Sequence, residues 1–235
     1  MFGYIFLQVS GAAADSLDVM AESAQQDGIV TRFFDLALKG GWIMIPILVL
    51  SLIAVFIFFD RYFAVKKAGK VDNSLLERVK DYISQGNIEA ALSLTRSQDN
   101  PTARMIQKGI SRIGRPMADV NSAIETVGNL EIAKLEKGLP VLASVAGGAP
   151  MIGFLGTVIG MIQAFYDMAN AGSNIDVTLL SSGIYQAMVT TVAGLTVGII
   201  AYFAYNILVA NVEKVIFKME AATSEFLDLL NEPAR

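Results

Sequence analysis

The uncharged polar side chains in or beside the long apolar runs of this chain are mainly Thr157 and Gln163, then Ser181, Gln186, Thr190, Thr191, Thr196 and Asn206. Hydroxyls and amides of this kind bond water or a neighbouring side chain, but none titrates near neutral pH. They cannot form a charge relay unaided. The chain has no Cys and no His. That excludes disulfides, thiolate metal sites, Cys or His nucleophiles and a His proton relay. The sequence has no G-x-S-x-G, no H-E-x-x-H, no P-loop and no paired intramembrane carboxylates. It therefore reads as a chain that is not an enzyme, with no cofactor and no metal site. No basic-aromatic pattern for nucleic acid is present either.

The elements that position these groups are membrane helices. The chain is 54% hydrophobic and only 17% charged, with a net charge of −4, and its mean hydropathy is +0.51. Leu139 to Phe165 is a run of 27 residues without a charge. As a helix it reaches about 40 Å, more than a hydrocarbon core of roughly 30 Å. Gly153, Thr157, Gly160 and Ala164 recur along it at helical spacing, beside a Gly156-x-x-x-Gly160 pair. In lipid, small residues on one face let another helix backbone come close. Thr157 on that stripe either bonds its own helix's carbonyl in a packing interface or faces a cavity.

Gly183 to Ala210 is a second such run, also without charge, carrying Ala187, Thr191, Gly194, Gly198 and Ala201 as a matching stripe. The two helices are expected to face the same interior. A third charge-free run, Gly41 to Phe59, is bulky rather than small and suits a lipid-facing helix opened by an interfacial Trp42. Residues 60–138 are polar and helical. Gly86-Asn87 and Asn100-Pro101 mark helix starts by their capping side chains, the second with Pro at the first helical position. Gly114-Arg115-Pro116 marks a break, and one helix is expected from about 117 to 167.

The fold class that follows is an all-α membrane protein with three transmembrane helices, two of them long and extending into a cytoplasmic helical domain. Its parts are an N-terminal arm over 1–38, a first span over 41–59, the cytoplasmic domain over 60–138, a second span over 139–167, a loop over 168–182, a third span over 183–210 and an amphipathic C-terminal helix over 211–235. Met1 to Ala14 is either the remnant of a secretory signal or an apolar arm on the membrane. Twelve of the 18 Lys and Arg lie between Lys66 and Lys137, and none between Met168 and Ser182. By the positive-inside rule the domain and the C-terminus are cytoplasmic and the N-terminus is outside.

Ala149-Pro150-x-x-Gly153-x-x-Gly156-Thr157-Val158-x-Gly160-Met161-x-x-x-Phe165 resembles the second-span motif of the ExbB/TolQ/MotA proton-channel family. Gly183-Ile184-x-x-Ala187-x-x-x-Thr191-x-x-Gly194-Leu195-x-x-Gly198-Ile199, ending near Tyr205-Asn206, is similar to that family's third span. The three-span pattern is closest to ExbB. The resemblance implies a homo-oligomeric ring, typically a pentamer, in the bacterial inner membrane. The ring would surround the helices of an ExbD- or TolR-like single-span partner that supplies an intramembrane Asp. Proton flow would then drive work through a TonB- or TolA-like protein. It also implies that Thr157 and Thr191 line a central cavity, with Gln186 and Thr190 beside them, while Gly153, Gly156, Gly160, Ala187, Gly194 and Gly198 pack the helices. The family's usual Gly-Ile-x-Glu-Ala pattern is here Gly183-Ile184-Tyr185-Gln186-Ala187, with an amide that cannot ionise. A TolQ-like or motility or export motor, and a passive oligomeric scaffold, are the alternatives.

Overall fold

The computed structural model describes residues 40–70, 74–170 and 177–231. The N-terminal arm over 1–38 lies outside them. Among the described residues all regular structure is helical: α1 (Met44–Ala68), α2 (Ser74–Ser84), α3 (Ile88–Arg96), α4 (Pro101–Ile110), α5 (Met117–Glu136), α6 (Leu139–Asn170) and α7 (Val177–Asn231). Among the described residues three stretches are long and apolar enough to cross a membrane, in α1, in Met117–Asn170 and in α7 from Leu180. The fold class is thus an all-α membrane protein with three spans.

Two of the helices run past the expected span ends. α1 continues nine residues beyond Phe59 to Ala68, because nothing breaks it before Gly69 and because Val65 and Ala68 are buried along the extension. α7 carries straight through Ala210 to Asn231. The connection expected over 168–182 is helical at both described ends, with α6 reaching Asn170 and α7 opening at Val177.

A single helix from about 117 to 167 is not what forms. The chain breaks at Lys137-Gly138, where Gly138 takes φ +88°. Only glycine adopts that conformation without strain. Pro140, two residues on, reinforces the break: its ring would clash with the carbonyl of Glu136 in a continuous helix. Within the first turn of a new helix its missing N–H costs nothing, and α6 begins there with the Leu142 amide donating to the Gly138 carbonyl at 3.1 Å.

The chain divides into two compact units, residues up to Leu48 with Met151–Leu195, and Val49–Pro150 with Thr196–Arg235. The second unit is built on a helical core. Asn87 caps α3 by accepting from the Ala90 amide at 3.1 Å. Asn100, 3% exposed, caps α4 by accepting from Ala103 at 2.7 Å, with Pro101 in the first turn. Helices α2 to α5 pack each on the next. α7 presents Leu208, Val212, Val215, Met219, Ala222 and Phe226, all buried, and all but Ala222 belong to the cluster that joins the cores of these helices. Their alternating spacing of four and three residues keeps one seam facing its neighbours along the helix. Gly109 exists for this packing: a Cβ there would stand 2.5 Å from the Phe226 ring and 2.8 Å from Ile124.

Pro150 in α6 has a local role in the same unit. Lacking an N–H, it leaves the Ala146 carbonyl without its helical donor. Gly198 of α7 lies against this point, so that a Cβ would come 2.6 Å from Pro150 Cδ and 3.0 Å from Ala146 O.

Candidate functional site in the α6–α7 joint

The first unit holds most of the polar groups of the spans. Here α6 and α7 run antiparallel with their small residues turned toward each other. A Cβ on Gly153 would meet Thr190 O at 2.8 Å, Gly194 Cα at 3.1 Å and Thr191 Cα at 3.2 Å. One on Gly156 would overlap the Thr190 hydroxyl and stand 2.7 Å from Thr190 Cβ. A Cβ on Gly160 would stand 3.0 Å from Ala187 Cβ and 3.3 Å from Gly183 O, and one on Gly183 would stand 2.5 Å from Ala164 Cβ. Backbone therefore approaches backbone at Gly153 and again where Gly160 faces Gly183, with the Thr190 side chain against Gly156 between them, an approach that only small residues permit. Gly183 opens the third-span motif but is not among the packing residues expected from the sequence, although it stands four residues before Ala187 and so shares its face.

The threonines divide by direction. Thr190 is 1% exposed, donates to the Ala187 carbonyl at 2.7 Å and reaches the Gly153 carbonyl at 3.4 Å. It is enclosed between the two helices. Thr191, one residue and about 100° further round α7, is half-buried and donates to the same Gly153 carbonyl at 3.1 Å. Thr157 is also half-buried; its hydroxyl donates to Phe154 O of its own helix. Each hydroxyl thus spends its one proton on the chain's own carbonyls, and oxygen lone pairs are what remain.

Gln186 lies against the entry to α1. Its amide nitrogen would overlap any Cβ on Gly41, whose φ is +69°. Neither the conformation nor the space admits another residue there. At the far end of α6, Gln163 donates to Asp167 at 2.8 Å, one turn on. Asp167 is the one charged residue among the described residues of this unit. No carboxylate lies between Leu139 and Phe165 or between Gly183 and Ala210.

Charge is concentrated instead in the second unit. Glu131 occupies a position on the buried stripe of α5, between Gly128 and Leu135, and its side chain is 5% exposed. It accepts from Arg104 at 2.6 Å and from Lys134 at 2.7 Å. Arg104 also donates to Asp99 at 2.8 Å, and Asp99 accepts from Lys67 of α1 at 2.7 Å. Burial pushes the Glu131 carboxyl up, but the hydrogen bonds from Arg104 and Lys134 outweigh it and hold it below the usual carboxylate range. The Lys67 ammonium, with Arg104 behind it, likewise lowers Asp99.

Outer surfaces of the spans are apolar. Phe56 on α1 is 72% exposed, and Phe154 and Ile162 on α6 and Val192 and Phe203 on α7 are also open. On helices of this length such faces meet lipid or other helices. The class is then set: a three-span helical membrane protein whose second and third spans are knitted through glycines and lined by hydroxyls. Comparison with known proteins narrows it. A sequence model of the MotA/TolQ/ExbB proton channel family matches residues 97–221, and the chain belongs to that family. It is 28% identical to the putative biopolymer transport protein ExbB-like 1 of Synechocystis sp. over 182 residues, 76% of this chain and 71% of the relative. An ExbB homolog of Methanothermobacter thermautotrophicus is 28% identical over 196 residues, covering 81% and 69%. The Tol-Pal system protein TolQ of Pseudomonas aeruginosa is 26% identical over 200 residues, covering 80% and 86%.

Proposed function

We propose that this chain is the multi-span subunit of a proton-driven energiser, of the ExbB type rather than the TolQ or motility type. It forms a homo-oligomeric ring, most simply a pentamer, in the bacterial inner membrane, with its N-terminus periplasmic and its C-terminus cytoplasmic. The ring surrounds the single-span helices of an ExbD- or TolR-like partner, and the resulting motion is passed to a TonB- or TolA-like protein. Thr157 and Thr191 border the central cavity. Thr190 and the glycines hold the α6–α7 joint that carries them.

One observation carries this reading beyond family membership. The joint brings hydroxyls together but offers no group that titrates. An intramembrane carboxyl carries a proton because it can be neutral in the low dielectric and charged at an open end. Here that carboxyl has to come from another chain. Thr157 and Thr191 already donate inward. Toward a partner carboxyl they therefore act as acceptors and favour its protonated form, and a hydroxyl must rotate to meet the carboxylate.

The test is proton flux in liposomes. The purified homo-oligomer alone is expected to pass protons no faster than empty vesicles, and adding the single-span partner restores flux. Strong flux from this chain alone refutes the reading. A passive scaffold, the second reading, is favoured by how fully the threonine donors are used within the chain. It predicts that Thr157→Val with Thr191→Val leaves energised uptake intact.

A further inference from the structure

The two parallel spans α1 and α7 leave a cleft between them that changes character along its length. In its membrane part the cleft is lined by Ala54, Phe58 and Phe59 of α1 and by Ile200, Ala204 and Ile207 of α7, almost wholly apolar. Further along the same two helices the lining becomes Tyr62, Lys66, Lys70, Asn211, Lys214 and Lys218, with no carboxylate. The helices stay in register across this change: a Cβ on Gly69 would stand 3.3 Å from Val215, and Lys218 reaches the Gly69 carbonyl at 3.4 Å. Lys66 lies over the Tyr62 ring at 5.8 Å. Among the described residues none of the four lysines is in an ion pair, whereas neighbouring Lys67 is held by Asp99.

The position of this change matters. The charge-free runs end at Phe59 on α1 and Ala210 on α7. At 1.5 Å per residue Lys214 starts about 6 Å beyond that level and Lys66 about 10 Å beyond it. Lysine stems lie along apolar surface with the ammonium at the interface, which brings both heads into the headgroup layer. Four ammonium groups outside any ion pair, two of them at headgroup depth and two one helical turn further out, continuous with an apolar groove at acyl-chain depth, match one molecule at both ends. We propose that the α1–α7 cleft binds an anionic phospholipid of the cytoplasmic leaflet. Its phosphate sits among Lys66, Lys70, Lys214 and Lys218, and an acyl chain lies along Phe58, Ala204 and Ile200. Basic pockets between spans on the cytoplasmic side take anionic headgroups in this way. The site rests on the spanning helices and is independent of whether the ring moves protons.

The experiment is native mass spectrometry of the full chain released from nanodiscs holding equal amounts of phosphatidylglycerol and phosphatidylcholine. Retained lipid is expected to favour phosphatidylglycerol by about tenfold or more. Replacing all four lysines with glutamine (K66Q, K70Q, K214Q, K218Q) should bring the ratio to within about twofold of parity. A charge-matched control elsewhere in the domain (R96Q, K108Q, R112Q, R115Q) should leave it unchanged. Ala204→Phe, which fills the groove with the lysines intact, should lower retention of both lipids, with helicity by circular dichroism confirming the fold. The proposal is overturned if the lysine variant keeps its preference, if the control loses as much, or if inorganic phosphate alone displaces the lipid, since that would make the pocket a site for free anions.

Discussion

Gly156 and Gly153 lie three residues apart on the same face of α6, yet they should respond to alanine in different ways. A methyl on Gly156 collides with a side chain: the Thr190 hydroxyl, then Thr190 Cβ at 2.7 Å and Cγ2 at 3.2 Å. A methyl on Gly153 collides with backbone, at Thr190 O and at the Cα atoms of Gly194 and Thr191. Overpacking costs about 1–3 kcal/mol. Against this, alanine gains about 0.5–1 kcal/mol of helix propensity over glycine. Displacing the buried Thr190 hydroxyl from its acceptor adds about 1 kcal/mol back. Gly156→Ala should therefore destabilise the joint by about 1–3 kcal/mol, and Gly153→Ala by at least as much.

The difference lies in rescue. Thr190→Ala removes the two outer atoms that meet the new methyl of Gly156→Ala, so that pair should couple favourably by about 1 kcal/mol in a double-mutant cycle. No truncation at 190 relieves Gly153→Ala, whose neighbours are main chain, and its coupling with Thr190→Ala should stay within about 0.5 kcal/mol of zero. Gly147 and Gly148 serve as references, because a Cβ at either meets nothing within 4 Å. Alanine there should be neutral or stabilising by up to about 1 kcal/mol. The measurement is reversible unfolding in mixed detergent micelles followed by far-UV circular dichroism. Equal stability of Gly156→Ala and Gly147→Ala, or equal coupling of Thr190→Ala to both glycines, would refute the packing described for the joint.

Three further outcomes are expected. Gln186→Glu should not allow the chain to conduct protons without the single-span partner proposed above in the liposome assay, because position 186 faces Gly41; partner-free flux in that variant would contradict this. Glu131→Gln should cost about 1–3 kcal/mol, below the figure of about 3–5 for breaking a fully buried pair, because the Arg104 side chain remains 37% exposed. Since the folded Glu131 carboxyl is held below its ordinary value, its contribution is present above the ordinary carboxylate range and lost as pH falls through the folded value. Thermal melts from neutral to acid pH should fall for the parent and fall less for the variant. Asn100→Ala should cost about 1–2 kcal/mol and Asn87→Ala less, since the first cap is buried and the second exposed; equal losses in thermal melts would argue against burial as the cause.

What was legible in the sequence followed from chemistry confined to a few neighbouring residues. Asn87 and Asn100 announce their caps because cap, proline and first turn are contiguous. The three spans are legible because a bilayer demands a long uncharged run. The break at Gly138 was not, although Gly138 and Pro140 together specify it: each alone is tolerated in a membrane helix, and only their spacing puts proline in the first turn of a new one. Glu131 was not singled out, because the partner that buries it, Arg104, is 27 residues away on another helix. Its place on an apolar stripe, between Gly128 and Leu135, was the available signal.

The stripes of small residues hold the sharpest lesson about sites. Spacing shows that a face is small, and smallness permits close approach, but the pattern is the same whether the approaching surface is a partner's helix or the next span of the same chain. In this protein the next span takes it, through Gly153, Gly156, Gly160 and Gly183. The adjacent pair Thr190-Thr191 then separates by helical geometry alone. A rotation of about 100° puts the first hydroxyl inside the joint and the second at its border, and both still bond the carbonyl of Gly153. That shared acceptor ties position and chemistry together. Any motion that slides α7 along α6 must break the Thr191 bond to Gly153 before it changes what Thr191 offers a cavity. The joint is therefore expected to move as one body, so that under the proposed function the proposed partner helix rather than the threonines changes place.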